Sequence, residues 1–208
     1  MTVQQVCQIL QPGVKGLLSQ VQAVNLVLSL IILATDPIDQ DTLRFFVRFF
    51  TPSDYNDLLE ERRVLSRCGY PICTNRLTDC HGHVRKDQSL AVNPWSRSFC
   101  SRHCFQASAF YQQQLPNEAL VTRKDIVWKP FGEMPYEANV LLLEEVQQIA
   151  RAERKPVSVV VRDLLLQQQD VENEFAALHI NEKELDALDL GDALTKIKIS
   201  ENKTPVPP

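Results

Sequence analysis

The chain has 208 residues, 44% of them apolar and 23% charged, and its 22 basic and 26 acidic side chains leave a net charge of −4. That length buries one substantial core, and the composition excludes collagen, coiled coil and wholesale disorder. The longest apolar stretch, Val24 to Ala34, is interrupted only by Asn25 and Ser29 and is too short to cross a bilayer, so no membrane role is expected.

Helices separated by proline punctuation fill the first third. Val14 to Ala34 reads as one helix, buried along its apolar run. Asp39 to Phe50 reads as the next, with Leu43, Phe46, Val47 and Phe50 at helical spacing. Thr51, Pro52 and Asp54 then form a helix start: an N-cap, a proline at the first helical position and an acid placed to complete a capping box. The helix it opens is expected to reach about Ser66, with Tyr55, Leu58, Leu59, Arg62 and Leu65 on one stripe. An arginine on an otherwise apolar stripe needs an acceptor.

Periodicity disappears from Cys68 to Phe99, where Gly, Pro, Asn, Asp and His become common and Trp95 and Phe99 are the large anchors. Helix returns from Ser101 to about Leu115, and Pro116 ends it. Val121 to Trp128 reads as a strand or extended arm, Glu137 to Arg154 as an amphipathic helix, and Val157 to Gln169 as ambiguous. The acidic end, Asp170 to Pro208, has nine acids against four bases and is expected to be mostly disordered. By contrast Glu61 to Phe105 has eight bases against three acids, a local surplus that favours an anionic partner.

Without a recognisable secretory signal, six cysteines point to metal or redox chemistry in a reducing compartment. Four are paired by spacing. Cys68 to Cys73 is a C-x4-C turn with Gly69 and Pro71 suited to a tight loop, and Cys100 and Cys104 are placed four apart at a helix start that favours thiolate. Two plus two thiolates suit one tetrahedral zinc, and four leave no open position, so the ion would be structural. His103 is an alternative to Cys104, and Cys80, His81 and His83 form a small cluster that reads as a solvated loop with a stray cysteine in preference to the site of a second ion.

The block from Thr51 to Arg62, the knuckle Cys68-Gly-Tyr-Pro-Ile-Cys73 and the segment Phe99 to Ser108 together resemble the fungal Regulator of Transcription One family and its metazoan relatives, the RNA polymerase II-associated proteins of the second type. The resemblance covers residues about 40 to 115. It implies an atypical phosphatase acting on phosphoserine, chiefly at the fifth heptad position, of the carboxy-terminal repeats of RNA polymerase II, in nucleus and cytoplasm. The family's zinc pairs map onto Cys68, Cys73, Cys100 and Cys104. The expected fold is therefore mainly α, a helical domain with an inserted zinc knuckle. Its parts are an N-terminal helical segment (1–50), the zinc-binding core (51–115), a C-terminal helical segment packing on that core (116–169) and the acidic tail (170–208).

Known phosphatase signatures are missing. No cysteine is followed six positions later by arginine, and Asp39-Gln40-Asp41-Thr42 is only a near miss for a phosphoaspartate motif, better read as caps of the following helix. What remains near the knuckle is Glu61 as general base, Arg62 as a bidentate phosphate grip and Tyr70 as a hydrogen-bond donor. For Arg62 the competing reading is a buried structural arginine paired with a carboxylate, and for Tyr70 packing against the knuckle. Asp57 and Arg63 read as solvent-facing and Tyr111 as core. A non-catalytic zinc adaptor for polymerase assembly or import is the alternative function; direct nucleic-acid binding is not expected, given the mixed Arg/Glu helix and the acidic tail.

Overall fold

The computed structural model describes residues 2–10, 15–78 and 97–167, which fall into two compact units, 1–155 and 156–208. Cys80, His81, His83, Trp95 and the acidic tail lie outside the described residues. The first unit holds α1 (Val3–Leu10), α2 (Gln20–Ala34), α3 (Gln40–Phe46), α4 (Pro52–Val64), α5 (Arg102–Gln112), a 3₁₀ turn (Leu120–Thr122), α6 (Pro135–Ala138) and α7 (Leu143–Glu153). In the second, residues 157–167 form a helix, α8, which decides the ambiguous segment in favour of helix. No strand occurs among the described residues, and none of their helices is long and apolar enough to cross a membrane.

Local chemistry sets the helix starts. Ser19 and Gln22 make a reciprocal capping box for α2, and Thr51 and Asp54 make the one expected for α4, with Pro52 at its first turn. Asp39 caps α3 by accepting from the Thr42 N–H at 2.7 Å, so the Asp-x-Asp-Thr run is a helix start. Helix α2 packs on α4, α5 on α7, and α3 on both α1 and α6. Between them lie Leu43, Phe46, Phe49, Phe50, Tyr55 and Leu58, all fully buried. Tyr111 joins this core as expected, its hydroxyl donating to the Leu43 carbonyl at 2.9 Å.

Three arginines are also fully enclosed, and they organise the irregular backbone. Arg48 donates to the carbonyls of Ile126, Lys129 and Pro130, pairs with buried Glu137 at 2.5 Å and lies over the Phe45 ring. Arg123 reaches the carbonyls of Arg48, Pro116 and Glu118, tying the loop after α5 to the turn after α3. Each guanidinium supplies a rigid fan of donors to carbonyls that no helix satisfies.

Some sequence expectations need correction, beginning with the helix expected from Val14, which starts instead at Gln20 behind the Ser19 cap. The apolar run of α2 is not buried all round: Ala23, Leu30, Ile31 and Ala34 face inward, whereas Val21 and Ile32 are each 69% exposed. Val121 to Trp128 is neither strand nor arm, since a 3₁₀ turn leads into further turns, with Asp125 in the left-handed region holding both the N–H and carbonyl of Gly16. The single helix expected over 137–154 is broken into α6 and α7. The Gln114 side-chain amide donates to the Leu141 carbonyl at 2.9 Å and accepts from its N–H at 2.8 Å, and this tertiary clamp replaces the helical ladder there.

The Arg48–Glu137 pair gives a test of the folded core. Glu137→Leu strands a buried guanidinium and is expected to lower unfolding free energy by about 3–5 kcal/mol, measured by urea denaturation at constant metal content; an unchanged midpoint would contradict this role.

Candidate metal centre

Helix α4 ends at Val64 and the chain reverses through Ser66, in the left-handed region at φ 54°. A short antiparallel bridge between Arg67 and Arg76 then closes a loop, reinforced by Cys68 N–H to Asn75 carbonyl (3.0 Å) and Cys73 N–H to Tyr70 carbonyl (2.9 Å). This is the C-x4-C knuckle. Gly69 is needed in it for closeness of approach and not for a special φ: a Cβ there would lie 2.9 Å from both the Ser98 carbonyl oxygen and the Phe99 ring.

The second thiol pair is built differently from expectation. Ser101 is the N-cap of α5, accepting from the Cys104 N–H at 3.1 Å, so Cys104 sits in the first turn while Cys100 precedes the helix altogether. The bend at the cap, not a shared helical face, aims Cys100 at Cys104, and their sulfurs lie 3.6 Å apart. Cys73 and Cys100 are also 3.6 Å apart, and all four Sγ atoms fall within 4.8 Å of one another. Tetrahedral zinc with Zn–S bonds of about 2.3 Å requires sulfurs ~3.8 Å apart, so the cluster has the size to hold one metal ion such as zinc. The Cys100 N–H and the Asn75 side-chain amide each point to a sulfur at 3.4 Å, to Cys68 and Cys100 respectively, as donors around metal-bound thiolates do. The neighbouring Cys104 and Cys68 thiols hold Cys73 well below the usual range, while Cys68 and Cys73 push Cys104 up. His103, the alternative ligand, stands apart from the cluster, with Nε2 3.7 Å from Glu144.

Arg62 lies directly behind this knuckle, fully buried. Its Nε donates to the Cys68 carbonyl, one terminal nitrogen to Ala34, Thr35 and Asp36, and the other to Tyr70 and Cys73, at 2.6 to 3.3 Å. The acceptor expected for this residue is therefore a ring of carbonyls and not a carboxylate, and all five N–H groups are engaged. Burial, the largest effect, lowers its pKa.

The other two candidate residues face different surroundings. Glu61 is exposed and lines a cavity between α2 and α4 with Leu28, Ile31, Ile32 and Glu60. Tyr70 is buried beside the metal ligands, its hydroxyl donating to Glu144 at 3.0 Å. Burial first, then the Glu144 charge, raises the Tyr70 pKa far above normal, so the phenol stays a donor. Thus the structure joins Arg62 to Tyr70 only through the latter's carbonyl, whereas Glu61 faces another cavity. Sequence reasoning missed Glu144, which bridges Tyr70 and His103. Its visible signal is the acidic pair Glu144–Glu145 in the first turn of α7, a position the helix dipole favours.

A sequence profile described as the Rtr1/RPAP2 family matches residues 48–116, the segment that contains α4, the knuckle and α5. The chain is 32% identical to the RNA polymerase II subunit B1 CTD phosphatase RTR1 of Saccharomyces cerevisiae over 177 residues, 80% of this chain and 76% of that protein. It belongs to the Rtr1/RPAP2 family. The crystal structure of Saccharomyces cerevisiae Rtr1 superposes with a TM-score of 0.59 at 30% identity, covering 71% of this chain and 96% of that one. The amino-terminal domain of Rtr1 from Kluyveromyces lactis gives 0.57 at 30% identity, over 69% and 97%. The Rpap2 CTD phosphatase of Rattus norvegicus is 32% identical over 131 residues, 59% of this chain but 19% of that much longer relative. The expected resemblance to Rtr1/RPAP2 proteins and the mainly helical fold with its cysteine knuckle therefore hold.

Two substitutions probe the centre. Cys73→Ser is expected to abolish stoichiometric metal binding, read by elemental analysis. Arg62→Met leaves buried carbonyls without donors and is expected to cost on the order of 3–5 kcal/mol while weakening metal retention against a chelator; wild-type unfolding together with full metal content would refute it.

Proposed function

We propose that the chain is a protein phosphatase acting on phosphoserine, chiefly at the fifth heptad position, of the RNA polymerase II carboxy-terminal repeats, with one structural zinc on Cys68, Cys73, Cys100 and Cys104. What carries the reading is its similarity over 80% of its length to a yeast protein named as a CTD phosphatase. Four thiolates complete a tetrahedron, so a bound ion would supply a fixed point for the knuckle and no site for substrate water. The acting groups then belong to the surface beside it.

Exposed Arg76, Arg97 and Arg102 each lie within three residues of a cysteine ligand and favour the approach of an anionic peptide. The Glu144 carboxylate is flanked by the Tyr70 hydroxyl and the His103 ring, groups able to orient water, move a proton and donate to a phosphoryl oxygen. Glu61 is a second candidate base, on the far side of α4. In this reading Arg62 is a positioning residue that holds the knuckle. One observation favours the alternative, a non-catalytic zinc adaptor for polymerase assembly or import: every Arg62 donor is spent on carbonyls, leaving no enclosed arginine beside Tyr70 for phosphate.

Phosphate release from a heptad peptide phosphorylated at its fifth residue separates the two. Wild type is expected to turn over, and Glu144→Gln to lose roughly a hundredfold or more at unchanged zinc content, with Glu61→Gln and Tyr70→Phe assayed in parallel. Failure of the wild type to release phosphate while it still binds polymerase would leave the adaptor reading.

A further inference from the structure

The side of α4 turned away from the knuckle faces a groove that the metal chemistry does not use. Its floor is α2, where Val24, Leu28 and Ile32 recur at i, i+4 and i+8, each 47–69% exposed. Such spacing makes one continuous stripe along a helix. Two cavities of about 330 and 440 Å³ lie along it, and both include Leu28, Ile31 and Asp57, so they form one trough. The stripe from Val24 to Ile32 spans ~12 Å, about two helical turns. Contiguous apolar surface of this kind marks an interaction site.

Charge identifies the kind of occupant. The α4 wall carries Asp54, Asp57, Glu60 and Glu61, and no Lys or Arg lines the trough among the described residues. Asp54 is engaged in the α4 cap and Glu60 pairs with Arg63, but Asp57 and Glu61 have no ion-pair partner among the described residues. An apolar floor beside an acidic wall is complementary to a helix with apolar anchors and a basic flank. It disfavours anionic lipid and nucleic acid. The chain's own end, Asp170 to Pro208, is acidic as well and would be repelled. A symmetric pairing of two copies through this face would set like against like and oppose the carboxylates. We infer that the groove between α2 and α4 docks a basic amphipathic helix of a partner protein.

The test uses two helical peptides of about four turns with the same leucine face, one with lysine and one with glutamate on the flanks, titrated into the full chain by fluorescence anisotropy. The lysine peptide is expected to bind saturably and the glutamate peptide at least about tenfold more weakly. Leu28→Asp and Val24→Asp, both at exposed positions, are expected to weaken the lysine peptide by about tenfold or more with melting and metal content unchanged. Asp57→Lys is expected to narrow or invert the preference. Absence of binding, or binding insensitive to Leu28→Asp and Val24→Asp, overturns the proposal. So does a wild-type dimer in sedimentation that Leu28→Asp dissolves, because the groove would then belong to a second copy.

Discussion

A single guanidinium joins the end of α2 to the cysteine knuckle. Arg62 takes the carbonyls left open where α2 ends, at Ala34, Thr35 and Asp36, and those turned inward by the knuckle, at Cys68, Tyr70 and Cys73, and draws both to α4. Neither set has helical partners, and leaving such groups buried and unpaired costs about 1–3 kcal/mol each. The same contact satisfies the charge, since a buried cation without acceptors is more costly still. An ion on the four cysteines would anchor one side of the knuckle while Arg62 anchors its inner side, so loss of either would leave the loop with one anchor.

Arg48 and Arg123 repeat this solution where the chain is least regular. After α5 the backbone runs through turns to α6, and its carbonyls at 116, 118, 126, 129 and 130 are collected by those two side chains. Arg123 also donates to the carbonyl of Arg48, which links the two hubs, and Arg48 alone has a carboxylate partner in Glu137. A mainly helical protein with so much non-helical backbone needs donors from outside its ladders, and arginine supplies five in a fixed plane. This arrangement makes the core specific in register as well as apolar.

Much of this was legible in the residues, for reasons that are local. Thr51, Pro52 and Asp54 determine a helix start by chemistry within four residues, and the four cysteines declare themselves by spacing. Arg62 announced that it needed an acceptor because it interrupts an apolar stripe, yet carbonyls carry no residue-type signature, so their identity could not be read. Arg48 and Arg123 gave no periodic signal, because the carbonyls that Arg48 collects lie 78 to 82 residues away and Arg123 reaches back 75 residues to the carbonyl of Arg48 as well as to Pro116 and Glu118 nearby. Likewise the break between α6 and α7 depends on Gln114, 27 residues before the backbone it clamps. The exposure of α2 was misjudged because hydrophobicity reports what favours burial, not whether a neighbour is present to provide it.

Helix α4 connects all the chemistry. Successive residues on a helix turn by about 100°, so Glu61 faces the α2 groove while Arg62 faces the knuckle, and one rigid element presents different surfaces to each. A ligand in the groove would press on α2 and α4, whose mutual position Arg62 also sets through the carbonyls after Ala34. Binding there and order in the knuckle would thus be linked through one buried side chain. Four thiolates around an ion would leave no open position and the donors of Arg62 are spent, so the catalysis proposed above would depend on how firmly Tyr70 and Glu144 are held beside the cluster. Rigidity of α4 would accordingly be a condition of that chemistry, and a partner seated in the groove would act on it through that rigidity without touching substrate.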